Sequence, residues 1–280
     1  MIHRTLVAGL LMVLGSLSGT DTSYAGEAVS RALDLGALTD RVAVDAFLRD
    51  HARDVYENAT LGDFRTLKLD ADGQLGLIAT TDSSGRRFFN HLLILYDDGK
   101  QVKVQEIDIW NMESLDGVVQ DLDGDGQPEL LLRQSLTPYS GTRPMAAWTA
   151  IFRFDGQQVV DQSAKFSQFY ETQILPQLEI EISTAKAKGL NNSFGSDILE
   201  IERDKILRTL GQSEAGLVSA LSWSRSVDPM RRIFALSILT DIGGPEASSA
   251  LREFADDRDP EISAVARVAN FLRKNERAAP

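Results

Sequence analysis

The chain has 280 residues, with 41 acidic against 29 basic side chains and a formal net charge of -12. That balance excludes partners recognised through negative charge, namely nucleic acid and anionic membrane surfaces. The absence of cysteine excludes disulfides, lipid attachment through a cysteine and cysteine nucleophiles, so stability has to come from apolar burial, with bound metal as a supplement.

Residues 1–25 are laid out as a secretory signal peptide. Arg4 supplies the positive start, residues 6–17 form an apolar run too short to span a bilayer, and Ser23 and Ala25 stand at the -3 and -1 positions of a cleavage site. The expected mature chain starts near Gly26 and works in the periplasm or outside the cell. Residues 26–61 are predicted as an N-terminal helical segment. Val44, Phe47, Leu48, Ala52 and Val55 recur at helical spacing, and Asp40 is the candidate N-cap.

From 62 to 170 the texture becomes that of antiparallel strands and hairpins. Short runs rich in leucine, β-branched and aromatic residues are separated by Asp-Gly or glycine-rich turns. The strands repeat. LDADGQLGLI (69–78) aligns with LDGDGQPELL (122–131), and LYDDGKQV (95–102) with RFDGQQVV (153–160), the second copy holding a longer loop, SLTPYSGTRPM (135–145). Two units of about four strands cannot close a propeller ring. The predicted fold is therefore α+β, with an antiparallel β-region of two four-stranded repeats that is not a closed propeller, followed by a C-terminal helical repeat region.

Residues 171–196 are predicted as a connecting helix and linker. LEIEIS alternates as a strand would, but Ile174, Leu178, Ile182 and Ala185 suit a helix with Pro176 in its first turn, ending at Gly189. From 197 to 280 the pattern is helical and repeats again. LGQSEAGLVSAL (210–221) matches IGGPEASSAL (242–251), and VDPMRRIFA (227–235) matches RDPEISAVA (258–266). Each Asp-Pro starts a helix, the Asp capping free N–H groups and the Pro fitting the first helical position. The pattern resembles the short HEAT-like repeats of phycobilisome-lyase-type proteins. That resemblance implies antiparallel helix pairs stacked as a solenoid that offers a protein-binding surface.

The densest chemistry lies in DLDGDGQPE (121–129), where Asp121, Asp123, Asp125 and Glu129 crowd a glycine-bent loop. Alternating carboxylates on a curling loop converge on one point and repel unless a hard divalent cation joins them, and calcium takes six to eight oxygens at about 2.3–2.6 Å. Gln127, at the seventh position, offers its backbone carbonyl. Leu132 stands where an EF-hand needs its bidentate Glu, and a strand follows in place of a helix. The loop resembles the DxDxDG calcium loops of FG-GAP and VCBS-type repeats. The resemblance implies one Ca2+ held by Asp121, Asp123, Asp125, the Gln127 carbonyl and Glu129. The first copy has Lys68, Asp70, Asp72 and Gly76 in the matching places, so a metal is expected in the second loop only.

Other candidates are weaker. His3 leaves with the signal, and His51 and His91 read as surface or packed residues, as Trp110, Trp148 and Trp223 read as packing residues. No HExxH, GxSxG or phosphate-cradling glycine loop occurs. Asn58-Ala59-Thr60 matches a glycosylation acceptor, discounted for a bacterial source. Tyr139 and Arg143, in the long loop, are candidates for touching an unidentified protein partner. The expected function is an exported, calcium-stabilised protein-binding or scaffold module without catalysis. The alternatives are a metal-assisted hydrolase built on the same loop and a structural subunit of an envelope assembly.

Overall fold

A computed structural model describes residues 35–83, 85, 89–136, 146–192 and 195–276. The expected signal peptide, together with Tyr139 and Arg143, lies outside the described residues. No described helix is long and apolar enough to cross a membrane.

The first helix, α1 (Arg41–His51), starts where Asp40 accepts hydrogen bonds from the amides of Val42 and Ala43, both at 2.9 Å, which satisfies two of the donors every helix start leaves open. A short turn, α2 (Arg53–Tyr56), follows. Strand β1 (Thr60–Lys68) begins at Thr60, so the expected boundary at residue 62 falls inside it. The next strands are β2 (Leu75–Asp82), β3 (His91–Asp97) and β4 (Val102–Asp108), hydrogen-bonded in the order β1-β2-β3-β4, all antiparallel. Strands β2 and β3 are buried almost throughout because both faces are covered. Leu77, Ala79, Leu93 and Leu95 pack with Val44, Leu48 and Tyr56 of the helical segment. Tyr96, from the opposite set, meets the Phe154 ring edge-on at 5.1 Å.

The second sheet copies the first. Its strands are β5 (Val119–Gln120), β6 (Glu129–Ser135), β7 (Ala147–Phe154) and β8 (Val159–Asp161), in the order β5-β6-β7-β8. The β3–β4 and β7–β8 turns make the same bonds: Asp98 Oδ1 accepts from the amides of Lys100 and Gln101, and Asp155 Oδ1 from those of Gln157 and Gln158, all at 2.9 Å. These turns fix the internal register at an offset of 57 residues between the two hairpins. Tyr96, and not Leu95, is the counterpart of Arg153.

The described chain divides into two compact units, and the division departs from the predicted β domain of 62–170. Ser135–Trp148 groups with Ser167–Pro280, while Thr149–Phe166 stays with the sheets. The reason is packing. Buried Ala146 belongs to the same apolar cluster as Trp223, Phe234 and Leu239, and Trp148 lies near-parallel to Tyr170 with Lys205 over its ring. A residue's strand pattern is local, whereas the core it joins is set by the fold.

The helical path opens at Ser167, runs through a π-turn at Tyr170–Ile174 and continues as α3 (Leu175–Ala187), with Pro176 in its first turn. It stops before Gly189, whose φ of 72° favours glycine. Then follow α4 (Ser196–Thr209), α5 (Leu217–Trp223), α6 (Pro229–Ile242), α7 (Gly244–Glu253) and α8 (Pro260–Glu276). Both Asp-Pro starts act as expected: Asp228 Oδ1 accepts from Met230 N at 2.9 Å and Asp259 Oδ1 from Glu261 N at 3.0 Å. The two starts are tied by a buried ion pair. Arg232 meets Asp257 at 2.9 and 3.1 Å and donates to the carbonyls of Ser226 and Val227.

Candidate metal centre

The acidic loop joins β5 to β6, and its shape comes from its own side chains. Asp121 accepts from the amides of Gly124 at 2.8 Å and Gly126 at 3.0 Å. Asp123 accepts from Asp125 N and Asp125 from Gln127 N, a succession of Asx turns that curls the chain. Gly124 and Gly126 have φ of 76° and 84°, which only glycine adopts freely.

The five expected ligands separate into two groups. Asp121, Asp123 and Glu129 each present an oxygen within 4.8 Å of the other two. Oxygens bonded to one calcium ion at about 2.3–2.6 Å lie at most about 5 Å apart, so this spacing fits a shared hard cation. Asp125 is turned instead to Arg153 of β7, whose Nη2 bonds its carboxylate and also donates to Gln127 Oε1 at 2.7 Å. The Gln127 amide donates to the carbonyls of Phe154 at 2.6 Å and Leu69 at 3.2 Å. Its counterpart Gln74 donates to Asp97 O at 3.0 Å, so this side chain is a structural brace in both repeats.

Glu129 is the unusual member. It is wholly buried at the start of β6, and its Oε2 accepts from Leu122 N at 2.8 Å. Oε1 is buried too and has no hydrogen bond. The cation nearest it among the described residues is Arg153, whose Nη1 lies 3.4 Å from Oε1 and 3.1 Å from Asp123 Oδ2. Burial pushes the Glu129 carboxyl up, the Leu122 amide opposes this, and the charge of Asp123 adds to the rise. Asp125 is held below the usual carboxylate range, first by Arg153 and then by the Gln127 amide. One guanidinium thus faces three of the loop's four carboxylates, leaving an excess of negative charge beside a buried oxygen that has no hydrogen bond.

The first loop closes differently. Gly76 stands where β6 has Glu129, and a Cβ at Gly76 would lie 2.6–2.9 Å from the Leu69 side chain. Leu69 is therefore 2% exposed, packed into space that a larger residue at 76 would deny it. Its counterpart Leu122 is only half-buried.

A second charged cluster sits on the first sheet. His91 is buried, with Nδ1 2.9 Å from Glu106 Oε1 and 3.2 Å from Asp108 Oδ1. Burial alone would push the imidazole down, but the two carboxylates outweigh it and raise its pKa to about 9. Ser83 Oγ lies 3.4 Å from Nε2, so hydroxyl, imidazole and carboxylate stand in line. Nε2 also lies 2.8 Å from Asn90 Nδ2, and an imidazole held protonated by its two carboxylates is poorly suited to take a serine proton.

Sequence reasoning missed Arg153. Its signal was the second residue before the shared Asp-Gly turn, basic in one copy and aromatic in the other. Compared with known proteins, the chain matches no family model, no curated protein and no solved structure.

Proposed function

We propose that the chain is an exported, non-catalytic binding or scaffold module whose second β-repeat is clamped by one calcium ion. The observation that carries this reading is Glu129 Oε1, buried and without a hydrogen bond, beside Asp121 and Asp123 at a spacing that suits a shared hard cation. All-oxygen donors favour calcium or magnesium over softer metals, and a set of several carboxylates on one loop suits the larger ion. The ligand set is Asp121, Asp123 and Glu129, with Asp125 and the Gln127 carbonyl completing it when the loop tightens. The resemblance of the loop to FG-GAP and VCBS-type repeats, and of the C-terminal helices to HEAT-like repeats, supports a role in protein contact. In this reading the cation stiffens a turn and the helices present a surface.

Calorimetric titration of the protein with calcium chloride tests it. The expected result is one saturable site per chain, lost in E129Q. No saturable heat, together with no calcium-dependent rise in melting temperature, overturns the reading.

A further inference from the structure

Arg153 reaches from β7 into the same cluster that the calcium reading assigns to the cation. Its Nη1 lies 3.1 Å from Asp123 Oδ2 and 3.4 Å from Glu129 Oε1, so it faces two of the three converging carboxylates. Its Nη2 is bonded to Asp125 and to Gln127 Oε1. A divalent cation bonded to Asp123 and Glu129 at about 2.3–2.6 Å would meet the guanidinium at close range, and the two positive charges repel. The guanidinium has a way out. Its side chain is 19% exposed, so Arg153 can swing outward and leave the inner oxygens.

The two repeats provide an internal comparison. Where the loop has its first and last acids, Asp121 and Glu129, the strand position carries Arg153. Where those acids are replaced by Lys68 and Gly76, the position carries Tyr96, whose hydroxyl donates to the Gln157 carbonyl. The arginine accompanies the acids and has no counterpart where they are missing.

We propose that Arg153 is a resident counter-cation. It holds the acidic loop folded when no metal is bound, and a divalent cation must displace it to reach Asp123 and Glu129. The loop thus exchanges an internal positive charge for an external one, and its affinity is set below what its carboxylates would give alone. The inference rests on the calcium reading above.

The probe is calcium chloride alone, titrated into the whole chain as wild type, R153Q and R153K. Competition predicts that R153Q binds calcium at least about tenfold more tightly than wild type, and that R153K, which keeps the charge, stays close to wild type. The second measurement uses wild type only, so it stands even if R153Q does not fold. Phenylglyoxal labelling of Arg153, read by peptide mass, should rise several-fold on calcium saturation as the guanidinium leaves the inner carboxylates. Equal or weaker calcium binding by R153Q, or labelling unchanged by calcium, overturns the competition while leaving the calcium site standing. Failure of wild type and R153Q alike to bind calcium overturns the calcium reading and the competition with it.

Discussion

Gln105 and Val159 pair as two strand residues would, although only one of them contributes its backbone. The Gln105 amide donates Nε2 to Val159 O at 2.6 Å and accepts from Val159 N at 2.7 Å. A side-chain amide has the same donor and acceptor as a peptide group, so one residue of β4 satisfies both polar groups of a buried residue of β8. Replacing Gln105 with Ala leaves Val159 N–H and C=O without those partners. The expected cost is about 1–3 kcal/mol in denaturant unfolding, and Q105E, which keeps an acceptor but loses the donor, should fall between the two.

Glu129 gives the sharpest test of the metal centre. In E129Q the side-chain oxygen still accepts from Leu122 N, so the fold should persist while the anionic ligand is gone. With calcium at about a hundred times its Kd, a single site stabilises the wild type by about 2.7 kcal/mol. For a chain of this size that is a rise of roughly 5–10 °C in melting temperature. E129Q should show almost none of that rise, which differential scanning calorimetry with and without a chelator will measure.

His91 predicts a pH dependence on the alkaline side. Its folded-state pKa of about 9 lies above the ordinary 6.5, so the native state binds the proton more tightly than the unfolded chain. The resulting stability is fully present below pH 6.5 and is lost as pH rises from about 6.5 to about 9. For this buried ring it amounts to about 3 kcal/mol. The protonated ring offers two donors, which calls for Asn90 to turn Oδ1 towards Nε2; that orientation also gives the otherwise orphaned Oδ1 its hydrogen bond. Unfolding free energies measured from pH 6 to 9.5 should fall in the wild type and stay flatter in H91Q.

The Arg232–Asp257 pair separates structural charge from surface charge. Both side chains are largely shielded, at 6% and 8% exposure respectively. Removing one partner strands the other, so R232M or D257L alone should lose about 3–5 kcal/mol, whereas the double variant should recover much of the loss. Lys205 and Asp241, by contrast, are partly open to solvent, and K205A should change stability by less than about 1 kcal/mol. Chemical denaturation of the set gives the comparison directly.

How much of this was legible in the sequence depended on how local each feature is. The Asp-Pro helix starts, the Asp40 cap and the stop before Gly189 depend on a few neighbouring atoms, and they stand where the residues placed them. The doubled four-stranded meander was readable because its Asp-Gly turns repeat with identical bonds. Strand β5 is only two residues long, Val119 and Gln120, since pairing depends on the partner strand as well as on propensity. The acids of the loop were visible as a cluster, but the division among them was not. Asp125 turns to Arg153, 28 residues away, and no spacing within the loop announces that. The assignment of Ser135–Trp148 to the helical unit was hidden for a similar reason, because Ala146 is small, common and informative only through what it touches.

The exchange of Leu69 with Gly76 for Leu122 with Glu129 has a consequence for how the two halves of the sheet region fail. One junction is sealed by hydrocarbon and the other by charge. Dilute acid weighs more on the second, whereas cold and mild denaturant weigh more on the first. The region therefore has one loop closed by ionised groups and one closed by the exclusion of water. Two sheets of the same strand order thus close their acidic loops by different means.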